Sequence, residues 1–184
     1  GQPFKMSKRA GEFISARDLL DEVERDPIRF MMLNRSNDVE LDFDFEKVTE
    51  KSKDNPVFYV QYAYARINSL FRILNKNLND NISDNIDDSS FNEYEVKILR
   101  KLFEWPNIIQ SATYKYEPHK IPFYLYELST LFHSYWSKGN EDPKYKFIVN
   151  NNINRIESFI LVNLIAIVIK NGMSILGVSL PQKM

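Results

Sequence analysis

Asn55-Pro56-Val57-Phe58-Tyr59-Val60-Gln61-Tyr62-Ala63-Tyr64-Ala65-Arg66-Ile67-Asn68-Ser69-Leu70-Phe71-Arg72-Ile73-Leu74 is the stretch on which the fold turns. Val57, Val60, Tyr64, Ile67, Phe71 and Leu74 recur at steps of three and four, the spacing of one apolar stripe on an α-helix. Asn55-Pro56 opens the pattern, which predicts a helix over 56–77. Tyr59, Tyr62, Arg66, Ser69 and Ile73 recur at similar steps on another side, because two residues along a helix is a rotation of about 200°. The helix therefore carries a core face and, opposite it, a face of rings and a guanidinium. Such planes are stacking platforms for unpaired bases in RNA loops. Tyrosines in a chain that is 14% aromatic also serve as half-buried packing, so the pattern alone admits both uses.

Helical patterning continues on both sides. Ser15 reads as an N-cap with Asp18 in the first turn, and Leu19, Leu20 and Val23 give that helix its apolar side. Asp26-Pro27 reads as a second start, Asp capping and Pro in the first helical position, with Phe30, Met31 and Leu33 continuing. Leu41-Asp42-Phe43-Asp44-Phe45 alternates like a strand, but Asp44 can cap and residues 46–53 are good helix formers, so a helix entry is favoured. Residues 79–90, rich in Asn, Asp and Ser, read as a mobile loop. A helix is expected over 93–104, with Val96, Leu99, Leu102 and Phe103 inward, and Pro106 is expected to begin another. A further helix is predicted over 122–138 with Gly139 as its stop, and a last one over 143–170 with Ile153, Ile156, Ile160, Leu164 and Ile167 inward and Gly172 beyond its end. The fold class is all-α: a helical bundle with a short N-terminal loop-helix appendage. Residues 1–40 form one part and 41–184 the helical domain.

Composition sets the bounds. The 184 residues are 43% hydrophobic and 27% charged, ordinary for a globular chain able to bury a core. No cysteine is present, which excludes disulfides, thiolate catalysis and cysteine zinc sites and is compatible with a reducing cytoplasm. A net charge of −1 argues against nucleic-acid binding by bulk attraction, so an RNA reader would need local basic patches and stacking. A neutral protein with no nucleic-acid partner is the competing reading. The most hydrophobic run, Phe159 to Ile169, is interrupted by Asn163 and falls short of the roughly 20 apolar residues that span a bilayer, so a buried helix and no membrane partner are expected.

At the front of the chain stands Lys5-Met6-Ser7-Lys8-Arg9, flanked by Gly1-Gln2-Pro3-Phe4 and Ala10-Gly11-Glu12-Phe13. Two lysines around a small hydroxyl residue, in a stretch without periodicity, suit a loop that follows a moving polyphosphate charge. With the segment from Asp54 to Arg66 and the end Leu176-Gly177-Val178-Ser179-Leu180-Pro181-Gln182-Lys183-Met184, this loop resembles the C-terminal part of bacterial arginyl-tRNA synthetases, which are class I aminoacyl-tRNA synthetases. The resemblance covers essentially the whole chain. The fifth loop position is Arg9 where the family-wide signature has Ser.

The resemblance implies a division of labour. Lys8, assisted by Lys5, would stabilise charge developing on pyrophosphate; Ser7 would hydrogen-bond phosphate or adenosine and Met6 would pack near adenine. Residues 1–40 would be the signature loop and a stem-contact helical segment at the end of the catalytic domain, and residues 41–184 an α-helical anticodon-binding domain of the class I synthetase type. Tyr59 and Tyr62 would stack on anticodon bases, Arg66 would meet a base edge or phosphate, and Gln61 would read a base or fix a neighbouring turn. Tyr124, Tyr126, His133, Tyr135 and Trp136 form a second candidate group. Of these Tyr135 is the expected RNA contact, His133 a satisfied core histidine, and Phe132 and Trp136 core. Met184 is expected to touch a base. The resemblance further implies ATP and Mg²⁺ in a full-length enzyme that joins arginine to tRNA(Arg) through an arginyl-adenylate, a cytoplasmic location, a monomer and no DNA partner.

Neither His119 nor His133 sits in a His-x-Gly-His signature, and no Gly-rich phosphate loop follows a strand. The chain is therefore expected to be a segment cut just upstream of the lysine loop, with no cofactor bound and no adenylate formation of its own. The alternatives are the anticodon-binding part of another class I synthetase such as the cysteinyl one, against which the missing Cys and His zinc ligands speak, a free-standing RNA-binding helical module, and a helical interaction protein with no RNA role.

Overall fold

The computed structural model describes residues 15–39, 45–77 and 91–184. The lysine loop, the capping role of Asp44 and the loop over 79–90 lie outside these residues.

Seven helices account for most of the described chain: α1 (Ala16–Glu22), α2 (Arg25–Leu33), α3 (Phe45–Thr49), α4 (Pro56–Ile73), α5 (Glu93–Lys115), α6 (Lys120–Glu141) and α7 (Ile156–Leu176). A 3₁₀ turn, Pro143–Tyr145, and a two-rung antiparallel hairpin of β1 (Ile148–Val149) and β2 (Asn152–Ile153), with Ile148 opposite Ile153, join α6 to α7. The all-α expectation holds.

The long helices α4, α5, α6 and α7 pack into one core. Leu125, Leu128 and Phe132 of α6 sit at its centre with no solvent exposure, against Val60 and Ile67 of α4 and Ile165 and Ile169 of α7. A satellite core under the first helices joins Val23, Ile28 and Val48. α1 starts as expected: Ser15 Oγ accepts from the Asp18 backbone N–H at 3.1 Å, and the Asp18 carboxylate accepts in return from the Ser15 N–H at 2.8 Å.

Several boundaries differ from the sequence expectations. α2 begins at Arg25, so Asp26 and Pro27 lie inside its first turn. The Asp26 carboxylate accepts instead from the Ser179 backbone N–H at 2.9 Å and from the Ser179 hydroxyl, at the far end of the chain. α3 stops at Thr49, short of Lys53. α4 stops at Ile73 rather than 77, because Asn75 takes a left-handed φ of 50° and the Lys76 N–H closes back on the Phe71 carbonyl at 3.0 Å.

α5 runs straight through Pro106 to Lys115. Its inward stripe is Glu95, Ile98, Leu102, Trp105, Ile109 and Ala112, which continues on both sides of the proline. That packing outweighs the roughly 3 kcal/mol a proline costs inside a helix. Phe103, expected inward, is 73% exposed. Gly139 and Gly172 are not stops. Gly139 lies within α6 and lets the 3₁₀ turn approach, since a Cβ there would stand 3.1 Å from the Tyr145 carbonyl oxygen. Gly172 lies within α7, where a Cβ would meet both Leu125 methyls at 2.8 Å. The stop of α7 is Gly177, with φ of 66°. α7 buries Phe159, Leu161, Val162, Ile165, Ala166, Ile169 and Met173, while Leu164, expected inward, is 39% exposed.

α7 is also longer than the apolar run suggested. Its 21 residues are long and apolar enough to cross a membrane. They are packed instead as the core helix of the bundle, and 61% of the apolar window is buried.

Candidate nucleic-acid interface

α4 and α6 lie side by side, and their shared edge gathers the rings that the sequence pattern put on the outward face of α4. Tyr59, Tyr62 and Arg66 are all half-buried. Tyr59 rests between Tyr126 and His133 of α6, with ring centroids 5.2 and 4.4 Å away. One turn on, Tyr62 stacks near His133 at 5.6 Å and on Phe58 at 5.8 Å with planes 16° apart. Another turn on, the Arg66 guanidinium lies 4.3 Å from the Tyr62 ring centre and 5.0 Å from that of Trp136. The spacing of three and four along α4 produces this ladder directly.

Hydrogen bonds fix the ladder's middle. Arg66 Nη1 donates to His133 Nδ1 at 3.2 Å, and the His133 Nε2–H therefore donates to the Tyr59 carbonyl oxygen at 3.2 Å. Burial pushes the imidazole down to about 4, and the nearby guanidinium pushes the same way. His133 is the neutral, satisfied histidine expected of it. Burial, and the neighbouring Tyr126, hold the Tyr59 phenol above its ordinary range.

Arg66 consequently presents a flat cation held by rings and a neutral imidazole. Among the described residues it pairs with no carboxylate. A half-buried guanidinium without a counter-ion is prepared for a phosphate oxygen or a base edge.

The remaining expected contacts separate. Gln61 Nε2 donates to the Ser179 carbonyl at 3.0 Å, so of its two expected uses the structure shows the fixing of a neighbouring turn. Arg72 Nη1 donates to the Gln182 carbonyl at 2.8 Å, and the chain end is thereby laid along α4 with Met184 53% exposed. Tyr135 is a correction. It has no solvent exposure, its hydroxyl donates to Glu95 Oε1 at 2.7 Å, and burial raises its phenol far above the ordinary range. Arg155 holds the same carboxylate from Nε at 3.1 Å and Nη2 at 3.0 Å. Tyr135 thus completes a buried clamp between α5, α6 and the start of α7 and is out of reach of a ligand. Tyr124 is buried too, donating to the Lys101 carbonyl at 2.7 Å. Phe132 is core as expected, whereas Trp136 keeps an edge beside Arg66. Phe58, at the open end of the Tyr62 stack, was missed, and its i, i+4 spacing to Tyr62 was the available signal. Among the described residues no cluster of His, Asp or Glu is placed to hold a metal ion.

This interface lies almost wholly within residues 60–184, which match the model of the DALR anticodon binding domain. The chain belongs to the DALR anticodon-binding domain family. Across all of its residues it is 52% identical to an arginine–tRNA ligase of Pelagibacter ubique and, over 190 aligned residues, 49% identical to one of Brucella canis. It spans about a third of the length of these relatives, 32% in each case. A structure from Campylobacter jejuni, assigned as an arginyl-tRNA synthetase, superposes with a TM-score of 0.82 at 31% identity, covering all of this chain and 38% of that one. The Thermus thermophilus arginyl-tRNA synthetase shares the fold, with a TM-score of 0.66 at 20% identity over 96% of this chain and 29% of that one. In DALR terms, the ladder between α4 and α6 and the tail along α4 are what this member places on its outer face.

Proposed function

We propose that this chain is the tRNA-binding part of an arginine–tRNA ligase, and that the α4–α6 ladder receives the unpaired anticodon bases of tRNA(Arg). The observation that carries this reading is the Arg66 guanidinium, half-buried between Tyr62 and Trp136 with no carboxylate among the described residues to neutralise it. A core packing role for these side chains gives no reason to leave that charge open, whereas an RNA loop supplies both planes and anions. Whole-chain similarity to arginine–tRNA ligases supports the choice of amino acid over the cysteinyl alternative.

In this reading Phe58, Tyr59 and Tyr62 provide the stacking faces, Arg66 meets a base edge or phosphate, Gln61 holds the tail, and Met184 adds an apolar contact at its tip. Residues 1–40 end the catalytic domain, with Lys5, Met6, Ser7 and Lys8 in the ATP-handling loop and a stem-contact helical segment after it, and 41–184 form the anticodon-binding domain. ATP and Mg²⁺ supply adenylate chemistry in the whole enzyme, which is read as cytoplasmic and monomeric.

Fluorescence anisotropy with labelled tRNA(Arg) at fixed ionic strength tests the reading. Tyr62→Ala and Arg66→Ala should each weaken binding by about 1–3 kcal/mol, the range for removing one base stack. Arg66→Lys should also weaken it, because the ammonium keeps the charge but not the plane. Undiminished affinity in all three variants, with unchanged melting temperatures, would overturn the assignment.

A further inference from the structure

Four side chains take hold of the end of the chain, and two of them come from α2. The Gly177 N–H closes on the Ser174 carbonyl at 3.1 Å and the Val178 N–H on the Met173 carbonyl at 2.9 Å, the cap that turns the chain out of α7. Arg29 of α2 braces this turn, its Nε donating to the Leu176 carbonyl. Asp26, one turn earlier on the same face of α2, takes the residue that follows. A single oxygen of its carboxylate accepts from the Ser179 N–H, at 2.9 Å, and from the Ser179 hydroxyl. Gln61 of α4 donates to the Ser179 carbonyl at 3.0 Å. All three polar groups of Ser179 are therefore used, two by α2 and one by α4.

Apolar contact and hydrogen bonding do different things here. Val178 is buried and Leu180 packs against the main core, which holds the tail to the bundle but gives it no direction. Direction comes from Asp26, Gln61 and Arg72, whose bonds to the tail all lie at the surface. Gln61 and Arg72 are eleven residues apart, so they share one face of α4 and stand about 16 Å apart along it. Tyr62 and Arg66 lie about 100° round the helix from that face. The tail thus follows the flank of the ladder, and Lys183 and Met184, both exposed, come after the point held by Arg72. Each such bond adds little to the stability of a fold. An untied chain end, however, is poorly ordered, and ordering it at the moment of binding costs affinity.

From this arrangement we infer that Asp26 is a positioning residue for RNA binding: by gripping Ser179 it sets the course of the chain end beside Tyr62 and Arg66. It acts through Ser179 and the tail, not by touching RNA. The inference rests on the tRNA-binding reading above, and it makes a side chain of the 1–40 segment part of the grip exerted by the helical domain. Preorganisation is what Asp26 contributes, so its loss falls on affinity more than on folding.

The test measures the affinity of the 184-residue chain for tRNA(Arg) and for the same tRNA with a substituted anticodon, alongside the melting temperature. Asp26→Ala should weaken tRNA(Arg) binding about three- to tenfold, the size of one lost hydrogen bond. Asp26→Asn keeps an acceptor for Ser179 and should bind nearly as the wild type does. Both variants lose the acidic group in the first turn of α2, so their melting temperatures should be similar. Removing residues 181–184 should weaken binding at least as much as Asp26→Ala, and Asp26→Ala added to that shortened chain should change nothing more. Equal losses in Asp26→Ala and Asp26→Asn would assign the effect to the charge on α2 and overturn the inference. A further loss in the shortened chain, or wild-type affinity in Asp26→Ala, would overturn it too. A wild-type chain that binds both RNAs alike overturns instead the reading on which the inference rests.

Discussion

His133 is where sequence and structure agree most closely on a single residue, and its consequence is a pH dependence. Its folded value near 4 lies below the ordinary 6.5, so the unfolded chain binds the extra proton between those values. The stability it contributes is therefore complete above about pH 6.5 and is lost as pH falls towards 4. At pH 5 the loss amounts to about 2 kcal/mol. Urea midpoints at pH 7.5 and pH 5 should show this drop in the wild type, and His133→Gln, which cannot titrate, should lack that part of it. Periodicity could place Tyr59, Tyr62 and Arg66 on one face, because that needs only relative angles. It could not say which side of α6 faces inward. Tyr126 and Tyr135 are nine residues apart, about 900° of rotation, and so point opposite ways. Recognising Tyr135 as the buried one required knowing that Glu95 and Arg155 wait for its hydroxyl on the inner side.

At the scale of helices, glycine and proline were the least legible signals, since each has a punctuation use and a packing use. Gly177 is punctuation: its φ of 66° ends α7, and a Cβ there would also press on the Arg29 guanidinium. Gly172 is packing. Gly172→Ala should gain about 1 kcal/mol of helix propensity but forces the fully buried Leu125 to move, which costs about 1–3 kcal/mol. A net loss is expected in thermal unfolding, and Leu125→Val in the Gly172→Ala background should recover part of it. A net gain in the single variant would show that α6 and α7 are not as tightly set as described. Pro106 carries the same lesson. Local chemistry favours a helix start, yet the stripe from Glu95 to Ala112 lies against α6 and α7 on both sides of it, and tertiary burial decides.

For the molecule as a whole, the clamp of Glu95, Arg155 and Tyr135 ties α5, α6 and the start of α7 at one buried point. Arg155→Ala leaves the Glu95 carboxylate buried and unpaired, and should cost about 3 kcal/mol in chemical denaturation. Tyr135→Phe removes the hydrogen bond donated to the Glu95 carboxylate and the one accepted from Asn92 Nδ2, for a cost of about 2 kcal/mol. Neither should alter the preference for one tRNA over another beyond what instability explains, because neither side chain lies on the ladder. The all-α architecture was legible from stripes in 56–77 and the apolar C-terminal run, but the joining of distant segments was not. Nothing in the local pattern announces that Asp26 holds Ser179 or that Arg72 holds the tail at Gln182. A net charge of −1 likewise conceals a guanidinium between two rings that no carboxylate among the described residues compensates. Hydroxyl-radical footprinting of tRNA(Arg) bound to the 184-residue chain tests that placement most directly. Protection of the anticodon loop that disappears in Arg66→Ala is the predicted result, and an unprotected anticodon loop at saturating chain would contradict it.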